Sequence, residues 1–349
     1  MVTRGKFTFN EIMEQPAAWE DAVRAFTALQ PHLVEAWDKI QAKRVIFTGC
    51  GSTYYLSHTA ASLFEAQTGM PSRAHPGSEF LLFPDRVLQG ASETLLVTIS
   101  RSGTTTETLQ AQQAFRERGG KTNWAITCYP DSPLAIQADL VLPVEAAQEE
   151  SIAQTRSFAS MLLMSQALAA AIGGLDCSVL QVMPALARQI LQENERLMAE
   201  LGGRLDFDRL VFLGSSHQFG VANEAMLKMT EMSLSFSSAF HFLEYRHGPM
   251  SMANEKALIS GLLSQEAFAQ ERQVLAEMKA LGASTLALNP TSAADGADWQ
   301  INLPESLPDW AMPVLYLPAL QLLAYYRAMA KGWDPDNPRN LTAVVYLDA

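Results

Sequence analysis

The chain has 349 residues, room for two ordinary domains or one large one. With 48% apolar and 18% charged residues, its composition forms cores and argues against intrinsic disorder or a fibrous repeat. The formal charge of −12, from 37 acidic against 25 basic residues, repels nucleic acid and anionic membranes, although local backbone dipoles can still hold a small phosphorylated metabolite.

In chain order, the opening residues MVTRGKFTFNEIMEQP have no apolar core of signal-peptide length, and a helical segment is expected over 9–41. RVIFTG (44–49) reads as a short buried strand, followed by an amphipathic helix from Tyr54 to Gln67. TLLVTIS (94–100), a helix from Thr105 to Arg118, NWAIT (123–127), DLVLPV (139–144) and a helix from Ser157 to Ile172 follow. A linking stretch, 173–204, leads into RLVFLG (209–214), a helix from Phe219 to Ser233, ALISGLL (257–263) and a helix from Phe268 to Leu281. TLALN (285–289), WQINLP (299–304) and a helix from Val314 to Lys331 complete the pattern. The two long apolar runs, Phe158–Ile172 and Trp310–Tyr326, are too short or too broken by Pro313 and Pro318 to cross a bilayer, so buried helices are expected. Cys50, Cys128 and Cys177 form no CxxC pair, which fits neither a disulfide framework nor a structural zinc site but does fit a reducing cytoplasm.

An internal repeat runs through this pattern. Arg44-Val-Ile-Phe-Thr-Gly-Cys-Gly-Ser52 resembles Arg209-Leu-Val-Phe-Leu-Gly-Ser-Ser-His217, an offset of 165 that also pairs Glu79 with Glu244. KTNWAITCYPDSPLAIQADLVLPVE resembles ASTLALNPTSAADGADWQINLPE at an offset of 162, with Thr122 on Ser284. A near-constant offset over several elements argues for a duplicated domain. Near-continuous apolar strands separated by helices argue for parallel sheets covered on both faces. The expected fold is therefore α/β, with two tandem three-layer α/β/α domains. Residues 1–41 would form an N-terminal helical segment, 42–172 the first domain, 173–204 a helical linker and 205–349 the second domain.

In such sheets ligands bind beyond the carboxyl ends of the strands. The loop Thr48-Gly-Cys-Gly-Ser-Thr53 offers close backbone approach and hydroxyl donors. The loop Ser100-Arg-Ser-Gly-Thr-Thr-Thr106 has five hydroxyl residues, Arg101 and Gly103 in seven positions, a composition suited to an oxyanion. Serine and threonine also cap helices routinely, and that reading stands beside phosphate binding. The occurrence of two such loops on consecutive strands favours phosphate. Position 54 is tyrosine, so GxGxxG is absent, and no GxxxxGK[ST] occurs; nucleotide cofactors are not expected.

Farther on, Glu224, Lys228 and Glu231 fall on one face of a helix whose intervening residues are apolar. They form either a structural ion pair or a partly buried general base with its support. His247, in Phe242-Leu-Glu-Tyr-Arg-His-Gly-Pro249, sits in a rigid turn, presented to a cleft or capped within the core. His32, His58, His75, His217 and His241 show no metal-ligand spacing, so no metal is expected.

These motifs resemble the SIS (sugar isomerase) domain family, in the tandem arrangement of the isomerase half of glucosamine-6-phosphate synthase. The similarity runs from Glu11-Ile-Met-Glu-Gln-Pro16 to Pro338-Arg-Asn-Leu341. The SxSGxT loop, Glu-x3-Lys-x2-Glu, HGP sixteen residues beyond the last Glu, and NPRNL carry it together. The resemblance implies five-stranded parallel sheets and a homodimer with shared active sites. It implies that Cys50, Gly51, Ser52 and Thr53 touch the sugar or its phosphate, and that Ser100, Arg101, Ser102, Gly103 and Thr105 hold the phosphate. It further implies that Glu231 is the base between sugar C1 and C2, that Glu224 and Lys228 support it, and that His247 opens the ring from the partner subunit.

Some positions depart from that pattern. The synthase's glutamine-hydrolysing domain has no counterpart in the sequence, Ala343 stands where the synthase has a lysine that contacts the sugar carbonyl, and Gln154 replaces a serine of its sugar-binding loop. SRSG and EYRHGP look closer to the tagatose-6-phosphate ketose/aldose isomerase and aminosugar-phosphate deaminase group. The function implied is a cofactor-free, cytoplasmic isomerase or deaminase of a hexose or hexosamine 6-phosphate. The alternative is a regulatory SIS protein that binds a sugar phosphate without turnover; retention of Glu231, Lys228 and His247 together favours the enzyme.

Overall fold

The computed structural model describes residues 4–293 and 296–345; the outermost ends of the 1–41 and 205–349 segments and residues 294–295 lie outside the described residues. A long helix, α1 (Lys6–Lys39), contains Pro16 and Pro31. The chain divides into two compact units. One holds Glu14 to Glu149, Arg156 to Pro184 and the chain from Thr342 on; the other holds the chain up to Met13, Glu150 to Thr155 and Ala185 to Leu341.

In the first unit, in chain order, come β1 (Arg44–Gly49), α2 (Ser52–Thr68), β2 (Ser72–Pro76), α3 (Gly77–Leu82), α4 (Pro84–Val87) and β3 (Thr94–Ser100). Then follow α5 (Thr106–Glu117), β4 (Thr122–Thr127), α6 (Pro133–Ile136), β5 (Leu140–Pro143) and α7 (Arg156–Ile172). The strands pair in the order β2-β1-β3-β4-β5, every pair parallel, with Val45 opposite Leu95 and Val97 opposite Trp124. Alternate residues of β1 feed opposite cores, as period-two side-chain direction requires. Phe47 meets Phe64 of α2 on one face, with Trp37 against Phe64 and Trp124. On the other face Ile46, Leu96, Phe80, Ala111 and Phe115 cluster under α3 and α5. A buried polar network also ties α5 to the sheet. Gln112 donates to Asn123 Oδ1 and to the Leu134 carbonyl (3.1 Å), while Asn123 Nδ2 donates to the Leu96 carbonyl (3.1 Å).

In the second unit lie most of α8 (Met183–Gly203), then β6 (Arg209–Gly214), α9 (Gln218–Ser233), β7 (Ser237–Phe240), α10 (Phe242–Tyr245) and β8 (Ala257–Leu262). They are followed by α11 (Phe268–Ala280), β9 (Ser284–Asn289), β10 (Trp299–Asn302) and α12 (Leu317–Ala330). The order is β10-β9-β8-β6-β7, again parallel throughout and the same topology as the first sheet. The expected strands and helices are present within a few residues of their expected limits. The edge strands β2 and β7 carry no apolar run, because each is covered on few sides: β2 is largely half-buried and β7 wholly so. Among the described residues no helix is long and apolar enough to cross a membrane, and all three cysteines are free.

In the first sheet the chain leaves β1 toward β2 on one side and returns to β3 on the other. The crevice beyond the carboxyl ends of β1 and β3 is therefore the topological switch point, where parallel α/β sheets place their ligands.

Candidate active site

Both hydroxyl-rich loops open onto that switch point, one after β1 and one after β3. In the first loop Thr53 is a loop-former: its Oγ1 accepts from Cys50 N (2.9 Å) and donates to Cys50 O (3.0 Å). Cys50 Sγ lies 3.6 Å from Thr108 Oγ1 on α5, which joins the two loops. Burial pushes the Cys50 thiol up to about 11, with the nearby Glu107 carboxylate adding to the rise, so at neutral pH it is an uncharged thiol. In the second loop Ser100 Oγ accepts from Gly103 N (3.1 Å) and lies 3.4 Å from Thr105 Oγ1. Ser102 Oγ accepts from Thr104 N (3.2 Å) and Thr104 Oγ1 (3.0 Å), which leaves its own proton for a guest. Gly103 has φ 63 and packs on Ser132; a Cβ at that position would stand 1.9 Å from Ser132 Oγ.

The helix starts bear on the choice between capping and anion binding. Neither α2, which opens on Gly51, nor α5, which opens on Thr105, has a side-chain cap hydrogen bond. Two helices on opposite faces of the sheet thus begin after adjacent strands without a cap from their N-cap side chains, and each carries the positive end of its dipole there. A cavity of about 290 Å³ on the flank of the second loop is lined partly by Asp131 and Glu145, carboxylates that suit an anion poorly.

Arg101 is placed differently from an exposed phosphate ligand. Its side chain is 8% exposed, with Nη1 3.5 Å from the buried carboxylate of Glu149 and Nη2 donating to the Ala343 carbonyl at 3.1 Å. Glu149 also accepts from Ser157 N and Oγ at the start of α7. Glu149, Glu107 and Ser132 therefore shape the loops, although nothing in their spacing marks them in the sequence.

In the second unit, α9 brings Glu224, Lys228 and Glu231 together. Lys228 Nζ donates to Glu231 Oε2 at 2.5 Å and stands 3.4 Å from Glu224 Oε1. The side chain of Glu224 is 1% exposed and that of Lys228 2%, whereas Glu231 keeps 19%, so Glu231 is the most accessible of the three. His247 is exposed, which removes the capped-core alternative. Its turn is anchored from below: Phe242 and Tyr245 enter the core, and Arg246 grips Glu277 of α11 through two 2.7 Å bonds. Among the described residues no group of three or more His, Cys, Asp or Glu side chains could hold a metal ion.

A family model for the SIS domain matches residues 40–171. Superposed on glucosamine-6-phosphate deaminase from Thermotoga maritima, the chain is 30% identical with a TM-score of 0.80, covering 97% of this chain and 99% of that one. The chain belongs to the SIS domain family. A candidate tagatose-6-phosphate ketose/aldose isomerase from Clostridium novyi NT superposes with a TM-score of 0.89 at 25% identity, over 99% of this chain and 95% of that one. Glutamine–fructose-6-phosphate aminotransferase (isomerizing) from Pyrobaculum aerophilum is 30% identical over 364 residues, covering all of this chain but only 59% of that protein's length. Within this SIS chain the matched stretch holds both hydroxyl-rich loops; α9 and the His247 turn lie beyond it.

Proposed function

We propose that the chain is a phosphosugar isomerase or deaminase acting on a hexose or hexosamine 6-phosphate by proton transfer between C1 and C2. The observation that carries the reading is the pair of helices, α2 and α5, that begin without side-chain caps at the switch point beside two hydroxyl-rich loops. A phosphate there takes backbone N–H donors and the Ser102 hydroxyl. Arg101, held by Glu149, stiffens the loop from behind.

Glu231 is the base. It takes the proton from the carbon beside the carbonyl or iminium and returns it to the neighbouring carbon, a role that contributes typically 10²–10⁴-fold. Lys228 supplies positive charge for the developing enediolate, and buried Glu224 fixes the lysine on its far side. His247, exposed on its anchored turn, opens the sugar ring, and a homodimer in which it serves the partner's site is part of the proposal. With an amino sugar, proton transfer converts the C1 aldehyde and C2 amine into a C2 imine; water adds to that imine and ammonia leaves. The similarity to proteins named for glucosamine 6-phosphate deamination and tagatose 6-phosphate isomerisation supports this substrate class.

The test is incubation with hexose and hexosamine 6-phosphates in D2O without glutamine. Solvent deuterium should enter the sugar at the carbon that gains the proton, with ammonia released if the amine is hydrolysed. Absence of interconverted sugar, of exchange and of ammonia alike across the whole series would remove the proposed chemistry.

A further inference from the structure

Away from the two loops, the start of β1 and the edge strand β2 border a cleft of about 650 Å³, within the size range of small-ligand sites. Its charged lining is Lys43, Arg44, Arg73 and Arg86 against Glu79 and Glu93. Lys43 is neutralised by Glu93, with Nζ 2.5 Å from Oε1. The other three cations form no ion pair among the described residues, although the Glu93 carboxylate also acts on Arg44, so the cleft keeps a cationic excess in a chain of net charge −12.

Arg44 is the most informative of them. Its Nε donates to Thr94 Oγ1 at 2.8 Å, but its Nη2 is buried with no acceptor. Gly90, at φ 68, lets the backbone pass close against that nitrogen; a Cβ there would stand 2.6 Å away. A buried donor without a partner is destabilising, the more so on a charged group. Arg86 is oriented beforehand by the Phe83 ring, whose centre lies 5.2 Å from its guanidinium carbon. His75, also in the lining, is held below its usual pKa by burial and by Arg73, so it is a neutral donor and acceptor there. A neighbouring cleft of about 730 Å³ shares Lys43 and Glu93 and adds Lys121 to the basic border, its Lys39 being paired with Glu35.

We infer that this cleft is a second anion site, built for a small molecule that carries two or more phosphoryl or carboxylate groups. Guanidinium forks match either group. Screening over about 8 Å at physiological salt lets the local cationic excess govern a small ligand, while the acidic remainder of the chain turns away a long polyanion. The cationic end of the cleft lies apart from the loops of the proposed active site, although His75, opposite Thr48, and Glu79 carry its lining toward the first loop. Arg44 begins the strand that ends at Gly49, five residues and about 17 Å distant at the usual strand rise.

The test is calorimetric titration of the whole protein with inorganic pyrophosphate and, separately, with citrate. Either probe should bind, and the preferred one tells whether phosphoryl or carboxylate groups are recognised. The double variant Arg73→Gln/Arg86→Gln, checked for unchanged melting, should lose at least tenfold in affinity. Ser102→Ala, in the loop after β3, and Lys256→Gln/Arg196→Gln, which neutralises two exposed cations of the other unit, should each stay within twofold. Failure of both probes to bind would overturn the inference. So would an unaltered affinity in the arginine variant, or an equal loss in Ser102→Ala or in the control variant.

Discussion

Gly103→Ala measures how tightly the second loop is built. The substitution imposes two separable penalties. A non-glycine residue at φ 63 costs roughly 1–2 kcal/mol. The added methyl would lie 1.9 Å from Ser132 Oγ and 2.4 Å from Ser132 Cβ, an overlap that neighbours relieve only by shifting, at about 1–3 kcal/mol. Chemical denaturation should therefore show a loss of about 2–5 kcal/mol. In a Ser132→Gly background both clashing atoms are gone, so the same substitution should lose only the backbone share, about 1–2 kcal/mol. Ser132 also caps α6, accepting from Ala135 N at 3.5 Å, but a glycine cap forfeits only a few tenths of a kcal/mol. The coupling energy of the double-mutant cycle is thus the steric overlap itself. Equal losses in the two backgrounds, or a loss below about 0.5 kcal/mol in the parent, would refute the close packing of Gly103 on Ser132.

Further expectations concern the charged helix and the thiol. Glu231→Gln should abolish turnover while leaving calorimetric binding of sugar phosphate within a few-fold; retained turnover would remove the base. Lys228→Met leaves Glu224 buried without its cation and should destabilise by about 3–5 kcal/mol, with much of that recovered in Lys228→Met/Glu224→Gln; denaturant midpoints check both. Cys50 stays protonated in the folded state up to about 11, whereas the unfolded thiol ionises near 9, so its contribution to stability is intact below pH 9 and falls as pH rises from 9 to 11. Replacing it in Cys50→Ser should flatten that part of the stability profile; an unchanged slope would contradict the thiol's burial.

How much the sequence disclosed follows from what each feature needs in order to be seen. TLLVTIS is buried along its whole length, so its apolar run announces a central strand. SRAHP and SSAF are edge strands with half-covered faces and look like loop. The hydroxyl-rich loops were conspicuous by composition, yet their meaning was not. Thr105 stands where a capping threonine would, and only the geometry shows that it does not cap. Arg101 invited a role as phosphate ligand because charge is visible in sequence, whereas Glu149, 48 residues away, is brought to it by folding. The grouping of Glu224, Lys228 and Glu231 needed only helical spacing, so it was readable; which of the three is accessible needed the packing around α9.

The backbone passes between the two compact units five times, near residues 13, 149, 155, 184 and 341. Neither unit can be excised by a single pair of cuts, because each takes in distant stretches of chain that its own sheet does not supply. Exchange of one unit for its counterpart in a relative would have to splice all of those junctions at once.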